Sequence, residues 1–227
     1  MLIAGPLCFG LLIAGCGGGG DVPGNGGNGG PASYLPLAQG NSWHYLMTLA
    51  PDLLPVVQKQ VEENQEFDYH ETVTASGIYD GVEFSEIESL RAATDEFPEN
   101  QFFQLRRVSE DGIYARIPIF DEYGNFSHWH DSTQLLLPPQ QGETWTDDDL
   151  ATDFTTAAVD VQVTVPAGTF TCVRVDQSSE RRSDEDESAI QYTVRTWYAQ
   201  GVGIVKDETW EDDTKTSMIE LVEYNVQ

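Results

Sequence analysis

Lysine is nearly missing from this chain of 227 residues: Lys59, Lys206 and Lys215 are the only three. Arginine does little to compensate, since Lys and Arg together number 11 against 38 Asp and Glu, a net charge of −27. So acidic a surface repels phosphate backbones, and nucleic acid is not an expected partner. Cysteine is scarce too, with Cys8, Cys16 and Cys172 the full set. A long apolar run is also lacking: the stretch from Leu2 to Gly15 is too short for a spanning helix. The chain has no G-x-S-x-G, H-E-x-x-H, S-x-x-K or P-loop pattern, so no nucleophile, zinc base or phosphate cradle is announced and no cofactor is implied.

What is present begins with an address. Residues 1–15 read as the apolar core of a secretory signal, and Leu12-Ile13-Ala14-Gly15-Cys16 resembles the bacterial lipobox. The resemblance implies cleavage before Cys16 and acylation of that residue. The acyl chains, each contributing roughly 0.8 kcal/mol per buried CH₂, then hold the protein to a membrane. A basic segment ahead of the apolar run is absent, which points to a start codon further upstream. Gly17, rather than Asp, follows the cysteine, and by resemblance to lipoprotein sorting this favours the outer membrane. Residues 16–33 are mostly Gly with Asn, Pro and Asp, a composition that behaves as a flexible tether. Once Cys8 leaves and Cys16 is acylated, Cys172 stands alone, so no internal disulfide forms. Its strand setting, Thr171-Cys172-Val173, predicts a buried apolar residue, not a nucleophile.

Residues 34–227 are expected to form one antiparallel β domain. The dominant period is two: Val159, Val161, Val163 and Val165 alternate with polar residues, as do Ile190, Tyr192, Val194 and Thr196. Met218, Glu220, Val222, Tyr224 and Val226 form a similar series with an acid inside it. Asp80-Gly81, Asp111-Gly112, Tyr123-Gly124-Asn125 and Ala167-Gly168 supply turn chemistry between such runs. The expected architecture is mainly β, a curved sheet or open half-barrel of about 10–12 strands with at most one or two short helices. The helix candidate lies around Asp52–Glu63, where Leu53, Leu54, Val57 and Val61 share a face. The segment LPLAQGNSW at Leu35–Trp43 recurs as LPPQQGETW at Leu137–Trp145, which suggests two related meanders over residues 34–134 and 135–227.

Three segments carry a wider resemblance. They are Leu35-Pro36-Leu37 with Gly40-Asn41-Ser42-Trp43-His44-Tyr45, Val165-Pro166-Ala167-Gly168-Thr169-Phe170, and Trp197-Tyr198-Ala199-Gln200-Gly201-Val202-Gly203-Ile204-Val205-Lys206. Together they resemble a widespread set of bacterial envelope lipoproteins to which no activity is attached. The resemblance implies an antiparallel β domain, similar in shape to the half-barrels that carry lipoproteins across the periplasm.

Two chemical-looking patterns remain. His128-Trp129-His130 would put two imidazoles on one strand face, but two ligands do not make a metal site. Asp147-Asp148-Asp149 with Asp153, Asp184–Glu187 and Glu211-Asp212-Asp213 could hold Ca²⁺ on loops, yet none has the spacing of an EF-hand. The leading expectation is therefore a non-catalytic, lipid-anchored envelope protein that binds an apolar ligand or another envelope protein. Its binding face is expected to be concave and lined by Trp43, Tyr45, Phe84, Phe103, Tyr192, Trp197 and Tyr198. The alternatives are a Ca²⁺-dependent adhesion module using the acidic loops and, behind both, a hydrolase.

Overall fold

A computed structural model describes residues 33–51, 64–93, 99–120, 126–182 and 189–227. The signal segment, Cys16, most of the tether and the helix candidate at 52–63 lie outside the described residues. Twelve strands are formed: β1 (Ser42–Leu49), β2 (Gln65–Tyr79), β3 (Val82–Arg91), β4 (Asn100–Val108), β5 (Gly112–Phe120), β6 (Phe126–Leu136), β7 (Thr144–Asp147), β8 (Thr152–Val165), β9 (Gly168–Arg182), β10 (Ala189–Ala199), β11 (Gly203–Glu211) and β12 (Thr214–Asn225). No α-helix occurs among the described residues. The strands make one antiparallel sheet in the order β6-β5-β4-β3-β2-β1-β12-β11-β10-β9-β8-β7. It curls until its two ends, β6 and β7, nearly meet, a barrel with one seam.

The local rules hold where they are simplest. Asp80 and Gly81 both take positive φ, 51° and 82°, the pairing that a two-residue hairpin loop between twisted strands needs. The repeated segments adopt matching turns. Gly40 and Gly142 have φ of 90° and 85°, and Asn41 N–H donates to Ala38 O at 3.0 Å as Glu143 N–H does to Gln140 O at 3.1 Å. Gly40 and Asn41 then bracket Val73, bonding its O and N at 2.9 Å each, just as Gly142 and Glu143 bracket Thr156 at 2.8 and 2.9 Å.

β12 departs from the expected alternation. The residues sharing the inner face are Ser217, Ile219 and Leu221, while Met218 and Glu220 point outward. The register against β1 shifts between His44 and Tyr45, opposite Val222, so the side-chain parity reverses there. Outside, Glu220 meets Lys206 at 3.5 Å, which removes the oddity of an acid in an apolar series.

The inner face is filled most continuously at one end. Trp43, Val73, Ile87, Ile113, Leu135, Val173, Val205 and Leu221 pack into one core, capped by Leu35 and Leu37 from the segment that leads in from the tether. Toward the other end, where β1–β2, β3–β4, β5–β6, β7–β8, β9–β10 and β11–β12 connect, Leu49 and Phe67 form a second, smaller buried cluster with Met47, while other inward positions are only half-buried. Ile117, Ile119, Tyr192, Val194, Thr209 and Ile219 are among them.

Candidate functional site

Where the packed core gives way to the open end, polar side chains converge from facing walls. On one wall, Tyr69 Oη donates to Glu71 Oε1 at 2.8 Å, and Gln104 Nε2 donates to the same oxygen at 3.1 Å and to Ser89 Oγ at 2.9 Å. Arg106 donates through Nη2 to Gln104 Oε1 at 2.6 Å. Strand alternation explains the placement, since Gln104 and Arg106 share parity with Val108, which packs against the core. On the other wall, Thr196 Oγ1 donates to Asp207 Oδ2 at 2.6 Å.

The two walls sense each other. Burial pushes the Asp207 carboxyl up to about 6, against the Thr196 hydrogen bond and the attraction of Arg106, with Glu208 and Glu71 adding to the rise. The Tyr45 and Tyr198 phenols, both buried, are pushed up chiefly by burial, with the nearby carboxylates of Glu71 and Asp207 contributing. The floor of the open half therefore carries an arginine facing a carboxylate, and the walls above it are mixed: Phe102, Ile117, Ile119, Val194 and Ile219 stand among His128, His130, Gln177, Thr209 and Ser217. Convergent polar groups beside apolar side chains in a concave face are the chemistry that a ligand with both a polar and an apolar part requires.

The seam between β6 and β7 has its own chemistry. Trp145 Nε1 donates to Thr133 O at 2.9 Å, and the Trp145 ring stacks on Phe154 at 5.3 Å. His130 lies between two carboxylates, with Nε2 2.9 Å from Asp147 and Nδ1 2.9 Å from Asp149 Oδ2. Burial tends to raise the Asp147 carboxyl, but hydrogen bonds from Ser132, His130 and the Leu150 amide outweigh it and hold it below the ordinary value.

The residues named from sequence divide between two faces. Trp43, Tyr45 and Tyr198 lie inside, in the packed half, with Trp43 Nε1 donating to Val202 O at 2.6 Å and Tyr45 Oη to Ile204 O at 3.1 Å. Tyr192 shares their face and stays half-exposed in the open half. Phe84, Phe103 and Trp197 face outward. Phe84 is buried under the Arg107 and Arg116 guanidinium groups, Phe103 is 52% exposed, and Lys206 sits over Trp197 at 5.6 Å. The expected aromatic lining is thus not one surface, because large side chains occur at both parities of these strands.

Of the candidate ligands, His128 is exposed beside Ser127 Oγ at 3.2 Å, whereas His130, Asp147 and Asp149 are brought together. Both ring nitrogens of His130 face carboxylates from opposite sides, so the cluster is arranged as hydrogen-bonded pairs, and Asp148 stands outside it, exposed. No group of three metal-ligating side chains is disposed around a common point among the described residues. Cys172 is buried and its thiol is pushed up to about 11 by burial. Sequence reasoning missed Glu71, Gln104, Arg106, Thr196 and Asp207. The available signal was parity, since Asp207 sits two residues from buried Val205 and Arg106 two from Val108.

The fold and site together define an antiparallel half-barrel with a packed end and an open polar end. In sequence, the family described as DUF3108-like matches residues 157–221, from within β8 into β12. No curated protein matches the chain. In structure, the chain is similar to a protein of Bacteroides fragilis assigned as exported, with a YmcC-like fold: TM-score 0.51, 13% identity, covering 86% of this chain and 99% of that one. It is also similar to a protein of Parabacteroides distasonis assigned as a lipoprotein, with TM-score 0.53 and 13% identity, covering 85% of this chain and 98% of that one. Identity at this level shows a shared fold.

Proposed function

We propose that this chain is a lipid-anchored protein of the bacterial envelope, held in the outer membrane through Cys16, that binds an amphiphile in the open half of its barrel without transforming it. The observation that carries the reading is the gradient along the inner face. A solid apolar core at the tether end changes to half-buried walls of mixed apolar and polar residues around Arg106, Gln104 and Asp207. A wholly apolar ligand would strand those charges, whereas an amphiphile places its polar head on them and its chain along Ile117, Ile119 and Val194. Arginine suits an anionic head because its planar fork donates in pairs to carboxylate or phosphate. Support for the address comes from the LIAGC segment and from the assignments of the two structural relatives as exported protein and lipoprotein.

The test joins the two halves of the reading. The full chain, expressed in a Gram-negative host with labelled palmitate, is expected to carry label in the outer-membrane fraction, and Cys16→Ser is expected to carry none. Detergent-purified protein is then titrated with a fluorescent anionic lysolipid, and Arg106→Gln is expected to weaken binding about tenfold, the scale of one charge-assisted bond. Equal binding by Arg106→Gln, or label retained in Cys16→Ser, defeats the corresponding half.

A further inference from the structure

The seam raises a question that the interior does not answer. β6 pairs with β5 and β7 with β8, but no ladder joins β6 to β7. At the opposite junction, β1 and β12 are zipped by eight residue pairs. β7 has the same approach as β1, through the matching Gly40 and Gly142 turns, yet it runs for only 4 residues and stops at Asp147. Its side chains reach β6 at Thr133 and His130, so the stretch of β6 before His130 has no strand beside it among the described residues. Thr133 directs its carbonyl into the seam, and the two-residue repeat turns the backbone amides and carbonyls of Asp131 and Trp129 the same way. Segment Phe126–Asp131 contains neither lysine nor proline, two of the usual guards of a bare edge.

We infer that the β6 edge between Phe126 and Asp131 accepts an extended, basic segment of a partner protein as an added strand. Backbone pairing supplies register, and side chains of the visiting strand alternate between two surroundings. On the outer face stand the rings of Phe120, Phe126 and Trp129, in mutual contact at 6.4 and 5.5 Å, with Phe126 51% exposed. Flanking the seam, on the turn that follows β7, are the exposed carboxylates of Asp148 and Asp149. Apolar residues at every second position therefore meet the rings, and lysine or arginine between them meets the acids. The net charge of −27 favours a basic visitor and disfavours a second copy of the chain.

The experiment uses the full chain in detergent and a fluorescent peptide of alternating lysine and valine, read by anisotropy. Binding is expected, lost to a glutamate–valine peptide and weakened about tenfold or more when alternate peptide amides are N-methylated, which removes donors while keeping charge and side chains. Trp129→Pro, which deletes a seam-facing N–H together with one ring, is expected to weaken binding more than Trp129→Ala, which removes the ring and keeps the N–H, both keeping the circular-dichroism spectrum. Equal affinity for the N-methylated peptide would overturn strand addition in favour of simple charge attraction. Sedimentation showing a dimer that Trp129→Pro abolishes would overturn it in favour of self-pairing. Neither result bears on the lysolipid titration, which reads the barrel interior.

Discussion

Asp207 offers the sharpest test of the polar floor. Its carboxyl, hydrogen-bonded by Thr196 and facing Arg106 across the barrel, is pushed from its ordinary value of 3.8 up to about 6. The folded protein thus holds this proton more tightly than the unfolded chain does. The stabilisation from the group is fully present below about pH 4 and is lost as pH rises through about 6. At 1.36 kcal/mol per unit, the loss amounts to roughly 2–3 kcal/mol between pH 4 and pH 7.5, or some 5–10 °C in Tm for a domain of this size. Asp207→Asn keeps an oxygen to accept from Thr196 but cannot ionise. Whatever constant cost the amide brings, its pH slope should lack this contribution. The assay is urea unfolding followed by tryptophan fluorescence at half-unit steps from pH 4 to 8, for both proteins. The difference between the curves is expected to move in favour of Asp207→Asn by about 2–3 kcal/mol, with its midpoint near pH 5 and a plateau above about pH 6.5. Curves that stay parallel would refute the placement of Asp207 in an enclosed, charge-bearing floor.

Three further outcomes follow from local geometry. Gly203 has φ of 111°, and a Cβ there would lie 3.1 Å from Trp43 Nε1, so Gly203→Ala is expected to destabilise by about 2–4 kcal/mol in urea unfolding. Trp145→Phe removes the indole bond to Thr133 O while keeping the stack on Phe154, and should cost about 1 kcal/mol while raising amide exchange along β6. The Cys172 thiol, pushed up to about 11 by burial, should resist a thiol reagent at pH 8 in the folded protein and react on unfolding.

Much of the architecture was legible because its signals are local. Alternating valines around Asp160 and Gln162 specify a half-buried strand, and Asp80-Gly81 specifies a hairpin whatever the remainder does. The duplicate approach turns were legible from LPLAQGNSW and LPPQQGETW, since each glycine meets a conformational need at the same step. The site was harder to read. Which parity faces inward depends on bulges, and the shift opposite Val222 reverses the face of β12 without any residue that announces it. Phe84 and Phe103 are aromatic like Tyr45, yet fall on the outer face because pairing partners, not side-chain type, set the orientation. The Arg106–Asp207 floor joins strands far apart in sequence, so no local pattern could connect them. His130 and Asp147 were both visible as candidates, but the seam that brings them to 2.9 Å is a property of the closed curl.

The central claim is that the open half of the barrel holds an amphiphile. The most direct measurement is organic extraction of the full chain, purified under mild conditions from its native envelope, with mass spectrometry of the extract. The covalent chains on Cys16 stay with the protein and serve as the internal control. The account predicts a stoichiometric amphiphile with an anionic head, lost from Arg106→Gln; an extract empty for both proteins, at full recovery of a spiked lysolipid standard, would contradict it.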